Sequence, residues 1–210
     1  MEFTNVVENR RTYRDFESET IPETVISEVV RLAGLAPSVN NSQPWHFLWV
    51  QNKEILKEMS LIVADELEEI LPKADDDKKR KILEMVKWFS TFFTDVPCVL
   101  AVIMKPYEAI VDKILISESS LSHHDINQKR FYPNIQSIAA AIQTLLLAAT
   151  EKGYSGCWLS GPMVARKKLE SILDVNKEDE LVAFVALGKP KGKASHKKIK
   201  KLDEIFSVLK

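Results

Sequence analysis

Residues 134–152 form a stretch that is apolar almost all the way round a helix. Its centre reads AAAIQTLLLAA (residues 138–149 include it), and only Gln143 and Thr144 interrupt it. A helix with one apolar stripe can lie on a surface, but one apolar on every side must be enclosed by other elements. Two further runs, residues 96–104 and 181–187, are near-continuously apolar at strand length, the pattern of strands covered on both faces. A buried helix beside buried strands requires a layered arrangement. The chain has 210 residues, 45% of them hydrophobic, enough for one sizeable core.

The remaining segments fit around that frame. Residues 4–9 read as a short helix. Pro22 opens a clearer one in which Ile26, Val29, Val30 and Ala33 keep helical spacing, and proline suits a first turn; it should stop before Pro37. Residues 46–50 read as a strand, residues 54–71 return to helical periodicity, and residues 78–93 carry Trp88, Phe89, Phe92 and Phe93 on another helix. The intervening charged run, PKADDDKKRK (residues 72–81), reads as a solvated turn with aspartates at the positive end of the next helix. Residues 107–130 fit no single pattern and end in the polar SESSLSHHDINQKR, read as a mobile segment. Residues 154–159 read as a strand and 162–173 as a helix. Residues 189–210 read as a basic arm ending in a small amphipathic helix with Leu202, Ile205, Phe206 and Leu209 on one side. The order predicts an α+β fold, a modest sheet covered by helices, in a single domain over 1–210 with 189–210 as a C-terminal extension.

Composition removes several classes of function. The net charge is −1, so no global field draws the chain to nucleic acid or anionic membrane. The tail holds seven lysines between Lys189 and Lys201, yet it lacks interleaved aromatics, and a nucleic-acid role is not expected. No stretch approaches the roughly 18–20 apolar residues of a membrane span, and the N-terminus carries no apolar signal core; a cytoplasmic protein is expected. Cys98 and Cys157 sit in apolar runs and read as buried thiols. His46, His123, His124 and His196 lack metal-ligand spacing with them. No GxGxxG occurs, which argues against a Rossmann site.

Two stretches are dense in groups that bind anions and polar rings. RRTYRDF (residues 10–16) offers the guanidinium groups of Arg10, Arg11 and Arg14 around the Thr12 hydroxyl, and arginine's planar fork suits phosphate and carbonyl oxygens. APSVNNSQPWHF (residues 36–47) offers Ser38, Asn40, Asn41, Ser42 and Gln43 before an abrupt Pro44-Trp45. Alone, the first reads as a solvated basic patch and the second as a turn, since Asn and Ser favour turns.

Together, in this order and with QTLLLAA (143–149), GYSGCW (153–158) and LGKP (187–190), these stretches resemble the FMN-dependent nitroreductase family. The resemblance implies that family's fold: a mixed, mainly antiparallel sheet covered by helices, with the C-terminal arm exchanged in a homodimer. It also implies FMN at the dimer interface and NAD(P)H as a transient donor. Arg10 and Thr12 would hold phosphate or ribityl oxygens with Arg11 nearby, and Arg14 would face the N1/O2 edge. Ser38, Asn40, Asn41 and Gln43 would serve the ribityl chain and pyrimidine from the partner subunit. Trp158, Leu159, Ser160 and Gly161 would run along the ring, with the Ser160 N–H near N5. Lys198, or alternatively Lys200, would meet the phosphate. Thr12 stands where the family has serine, Asn40 where it has a small residue, and Ile199 where its tail commonly has arginine.

The activity so implied is hydride transfer from NAD(P)H to FMN and then to a small electron-poor acceptor, such as a nitroaromatic or quinone. Relatives on the same fold dehalogenate iodotyrosines or fragment flavin, and a flavin-binding protein without turnover is a third reading. Trp88, Phe89, Phe92 and Phe93, and likewise Phe131 and Tyr132, read either as core or as a hydrophobic lid over the flavin, with Trp88, Phe92 and Phe131 as the substrate-pocket candidates. His123 and His124 read as a solvated pair.

Overall fold

The computed structural model describes residues 2–72, 75–107, 109–193 and 198–209. His196, and Lys73 and Ala74 of the charged run, lie outside the described residues.

The described elements form one four-stranded sheet with helices on both faces. The strands are β1 (Trp45–Trp49), β2 (Cys98–Met104), β3 (Ser155–Leu159) and β4 (Glu180–Gly188), in spatial order β1-β2-β4-β3. Every pair of named strands is antiparallel: Phe47 lies opposite Val102, Leu100 opposite Val185, and Cys157 opposite Ala186. The parallel component is a single bridge between Thr12 and Gly156. The continuous apolar runs seen in the sequence are the central strands, and every residue of β2 is buried.

Alternation along the strands divides the core into two layers. Leu100, Val102, Ala183, Val185 and Leu187 face α2 (Glu23–Ala33) and α7 (Pro133–Glu151). Val99, Ala101, Phe184 and Ala186 face α3 (Lys53–Ile70) and α8 (Arg166–Ile172). The Phe93 and Phe184 rings, both fully buried, stack at 5.7 Å in the second layer. α7 is the helix whose apolar circumference demanded enclosure. Ile138, Ala141, Ile142, Leu145 and Leu146 are all buried, and each large aliphatic side chain so enclosed contributes roughly 1.5–3 kcal/mol.

Local chemistry sets the helix ends. The Asn52 side chain caps α3, accepting from the N–H of Glu54 at 2.9 Å and of Ile55 at 3.3 Å. Asp76 caps α4 (Asp77–Thr91) by accepting from Lys79 N–H at 2.7 Å. α1 (Phe3–Asn9) ends at the arginines as expected.

Three expectations change. Residues 107–130 contain two short helices, α5 (Ile110–Glu118) and α6 (His123–Lys129). Asp112 is fully buried there. Its Oδ2 accepts from Ala109 N–H at 2.9 Å, and its Oδ1 meets the Arg130 guanidinium at 2.5 Å, an ion pair rather than an aligned hydrogen bond. Polarity in the sequence hid this buried anchor. The expected helix at 162–173 begins as a 3-10 turn, Gly161–Ala165, before α8. The expected amphipathic helix of the arm is a single 3-10 turn, Leu202–Glu204, with Ile199, Leu202, Ile205, Phe206 and Leu209 all exposed. Without a surface to cover its apolar side, so short a segment gains little from helix formation.

Candidate functional site

The β3 edge of the sheet brings the first arginine motif against Gly156 and Cys157, directly before the WLSG segment. Thr12 pairs with Gly156, Tyr13 N–H donates to Gly156 O at 3.3 Å, and Glu17 N–H donates to Lys189 O at 3.0 Å. Residues 12–17 therefore run along the start of β3 and cross to the strand following β4. The approach depends on glycines: a Cβ on Gly156 would sit 2.7 Å from Leu187 Cδ2 and 2.9 Å from the Ala186 carbonyl, and one on Gly188 would sit 2.8 Å from the Phe16 side chain.

The three arginines take different parts. Arg14 lies with its guanidinium carbon 4.6 Å above the Phe89 ring, close enough for a cation–π attraction. It also reaches Cys157, whose thiol burial pushes up while the Arg14 guanidinium pulls it down. Arg11 turns back instead, donating from Nη1 to the carbonyl of Arg10 at 2.9 Å and to that of Glu8. It thereby satisfies carbonyls at the C-terminal end of α1, the end that favours cations. Neither Arg10 nor Arg14 has a carboxylate partner among the described residues, and Arg10 is half-buried beside Thr12.

On β3 itself Trp158 is 42% exposed and faces the α7 layer, whereas Leu159 is buried in the opposite layer. Leu159 can therefore offer only its backbone to a ring lying on this edge. Ser160 is exposed, and Gly161 starts the 3-10 turn directly against α4. A Cβ on Gly161 would fall 2.5 Å from Ser90 Oγ, so the turn and the helix are in contact. Trp88, half-exposed, stacks on Phe92 at 5.5 Å and touches Phe89 at 5.1 Å. The aromatics of α4 and of the 3-10 turn after it differ in burial: Phe93 is core, while Trp88 stands at the surface. Phe131 stands apart from them. It lies at the α6–α7 junction on left-handed backbone (φ 59°), 79% exposed, and none of the ring contacts among the described residues reaches it.

The second polar motif folds into a tight loop between α2 and β1. Asn40, Asn41 and Gln43 all have positive φ (48°, 53° and 46°). Asparagine tolerates that region, but glutamine there is strained, a condition that requires local support. The support is visible: Ser38 Oγ accepts from Gln43 N–H at 3.0 Å, Gln43 Nε2 donates to Asn41 Oδ1 at 3.1 Å, and Asn40 Nδ2 donates to the Tyr107 hydroxyl at 2.6 Å. Ser42 Oγ is buried without a hydrogen-bond partner among the described residues. The loop is tied to the first turns of α7, where Ser137 Oγ accepts from Val39 N–H at 3.1 Å. Gly156, by contrast, packs near Leu146 of the same helix. Nine residues of helix separate those two anchors, about 14 Å at 1.5 Å per residue. The two motifs thus contact α7 about two and a half turns apart, the second near its N-terminal end and the first nearer its C-terminal end.

Lys198 and Lys200 are both exposed on the arm. Sequence reasoning missed Ser90 as a neighbour of the candidate site and did not single out Phe89 among the aromatics of WFSTFF: nothing local marks which ring meets Arg14 or which small side chain abuts Gly161.

Comparison with known proteins identifies the family and the fold. The Nitroreductase family profile matches residues 7–189. Iodotyrosine deiodinase from Hydra vulgaris is 29% identical over 189 residues, covering 86% of this chain and 62% of that protein; the chain thus spans less than two thirds of that relative's length. A BluB-like flavoprotein from Clostridium difficile 630 superimposes with a TM-score of 0.87 at 28% identity over 100% of both chains. A nitroreductase with bound FMN from Desulfitobacterium hafniense DCB-2 shares the fold at TM-score 0.72 and 22% identity, covering 99% of this chain and 98% of that one. On the family match across most of its length, together with the arginine motif and the WLSG segment joined on one sheet edge, the chain belongs to the nitroreductase family.

Proposed function

We propose that the protein is an FMN oxidoreductase that takes hydride from NAD(P)H and reduces nitroaromatics, quinones or related electron-poor acceptors. The observation that carries this reading is the convergence of Thr12, Arg14 and residues 156–161 on the β3 edge, with Trp88 and Phe92 alongside.

The donor set fits FMN. Two arginines without carboxylate partners stand beside a hydroxyl, an arrangement suited to a phosphate or ribityl oxygens. Arg10 and Thr12 would hold those oxygens, while Arg11 supports the motif by closing α1. Arg14, steadied over Phe89, would place its charge at the polar edge of the ring, where a cation favours the reduced, anionic form. Gly161 lets the turn approach α4 closely, and Ser160 would supply a backbone N–H. Trp88 and Phe92 would exclude water and stack on an aromatic acceptor. Bound FMN supplies the two-electron chemistry, so these residues need only bind, orient and desolvate.

A homodimer is part of this proposal, and the separation of the two motifs along α7 supports it. Ser38, Asn40, Asn41 and Gln43, with the unpartnered Ser42 hydroxyl, would complete the site of a second copy rather than their own. The exposed apolar residues of the arm, Phe206 and Leu209 among them, would be covered by that copy, bringing Lys198 or Lys200 to the phosphate. Sedimentation at micromolar concentration tests this: a monomer that nonetheless retains FMN refutes the shared site.

A second reading keeps the flavin and changes the substrate. Similarity to an iodotyrosine deiodinase and to a BluB-like flavoprotein, with an aromatic helix beside the site, supports a dehalogenating or flavin-fragmenting activity. A flavoprotein without substantial turnover is the third. The anaerobic visible spectrum, recorded before and after NADH and then NADPH, separates them. Bleaching that reverses with a quinone or nitroaromatic is expected. Persistent flavin bands remove the NAD(P)H reaction, and absence of flavin after reconstitution removes the proposal.

A further inference from the structure

A second cavity, of about 560 Å3, opens where α6, the start of α7 and β4 meet. It is lined by Met104, His124, Asn127, Tyr132, Asn134, Ile135, Arg166 and Glu180. It shares Ile135, Arg166 and Glu180 with a smaller cavity of about 250 Å3 beside Trp158, so the space continues toward the β3 edge.

The head of this cavity is the N-terminus of α7, and it is built unusually. Phe131 and Tyr132 are consecutive left-handed residues (φ 59° and 53°). The N-cap is Tyr132, whose side chain makes no cap bond, and Pro133 follows as the first helical residue. Ile135 N–H is satisfied by Asn134 Oδ1 at 3.0 Å and Gln136 N–H by Tyr132 O at 3.2 Å, which leaves Asn134 N–H without an intrahelical partner. Asn134 is more than nine-tenths buried, at 8% exposure. Its oxygen is committed to Ile135, and its Nδ2 has no partner among the described residues.

The charged groups on the walls do not oppose an anion. Arg166 pairs with Glu180 and lies 3.9 Å from Glu170, which is itself bound by Lys167 at 2.9 Å and by Leu181 N–H at 3.0 Å. With the Arg166–Glu180 pair neutral overall, the field left facing the cavity is the positive end of a helix from Pro133 to Glu151. The His124 ring, 6.3 Å from that of Tyr132, adds a donor at the rim. Met104 and Ile135 supply apolar floor.

From these features we propose that the cavity binds a small aromatic carboxylate, its charged group held by the Asn134 side-chain amide and backbone N–H at the N-terminus of α7. The aromatic body lies over Met104 and Ile135, directed toward the cavity beside Trp158. This goes beyond the redox reading: the proposed carboxylate contacts are made by residues not assigned to FMN, and only the far end of the cavity approaches Trp158, which was.

Calorimetric titration with sodium benzoate, using benzamide as the uncharged control, tests the site on the intact protein with and without FMN. Wild type binds benzoate and discriminates against benzamide. Asn134→Asp keeps the oxygen that accepts from Ile135 N–H but turns the donor into a carboxylate, and weakens benzoate about tenfold or more, the effect of losing one charge-assisted hydrogen bond. Equal binding of benzoate and benzamide by wild type overturns the proposal without recourse to any variant. So does undiminished benzoate binding by an Asn134→Asp protein with a native circular dichroism spectrum. Benzoate binding that persists in protein lacking FMN separates this site from the flavin reading; binding only with FMN present, unaltered in the variant, places benzoate elsewhere and also overturns it.

Discussion

Gly161→Ala probes how tightly the proposed ring-binding turn is fitted to the aromatic helix. The added Cβ would lie 2.5 Å from Ser90 Oγ, 3.2 Å from Ser90 Cβ and 3.4 Å from Ser90 Cα. Ser90 cannot swing away freely, because it is 4% exposed and its hydroxyl donates to Val86 O at 2.9 Å within α4. Either the turn or the helix must shift, and overpacking of this kind costs about 1–3 kcal/mol. For a chain of this size each kcal/mol lowers the melting temperature by about 2–4 °C, so a fall of about 4–8 °C is expected for a mid-range cost. Ser90→Ala removes the closest atom but leaves the 3.2 Å contact, so the double variant recovers part of the loss, not all of it. Thermal melts by circular dichroism for wild type, both single variants and the double variant give the coupling energy directly. The same melts with FMN added report whether displacement of the turn weakens the flavin. Strictly additive effects, or a Gly161→Ala protein as stable as wild type, would refute the contact and with it the placement of α4 against the site.

Arg14→Ala is expected to weaken FMN binding or lower the flavin potential, and unchanged flavin content and potential would exclude Arg14 from the ring edge. Phe89→Leu should reproduce part of that effect, since an exposed cation–π contact contributes about 0.5–1 kcal/mol, whereas Phe89→Tyr should not; equal behaviour of the two variants would remove Phe89 as the support of Arg14. Cys98 and Cys157 should resist iodoacetamide at pH 8 in the folded protein and react in urea, because burial pushes the Cys98 thiol up to about 12 and raises that of Cys157; rapid labelling of native protein would contradict their packing. Burial acts to raise the Asp179 carboxyl, but Lys105 at 2.5 Å and Asn176 at 3.1 Å prevail and hold it below its ordinary value. A group lowered in the folded state stabilises at neutral pH and loses that contribution as pH falls through the carboxylate range, from about 5 downward. Asp179→Asn should therefore flatten the acid limb of urea-midpoint measurements, and an unaltered limb would show that the ion pair contributes nothing.

Much of the fold was legible from local pattern. β2, β4 and α7 announce themselves by apolar runs that only a covered position tolerates, and Pro22 and the aspartates of the charged run mark helix starts through chemistry acting over a few residues. The candidate site was proposed through motif resemblance, and the structure places Thr12 against Gly156 and Arg14 against Cys157, just before the WLSG segment. It also adds particulars that the sequence does not carry. Leu159 faces the core, Arg11 closes α1, Asn40 is committed to Tyr107, and Phe131 stands away from Trp88 and Phe92.

The amino-acid sequence by itself determined which segments are enclosed and which carry anion-binding groups, because burial periodicity and side-chain chemistry are properties of neighbouring residues. Tertiary structure alone decided that Phe89 meets Arg14, that Ser90 fills the space Gly161 leaves, and that an unpartnered asparagine faces a cavity at the head of α7. Those contacts join residues far apart in the chain, and their distances are set by how two helices and a sheet edge pack. Packing is a property of the assembled layers, so no short window of sequence contains it.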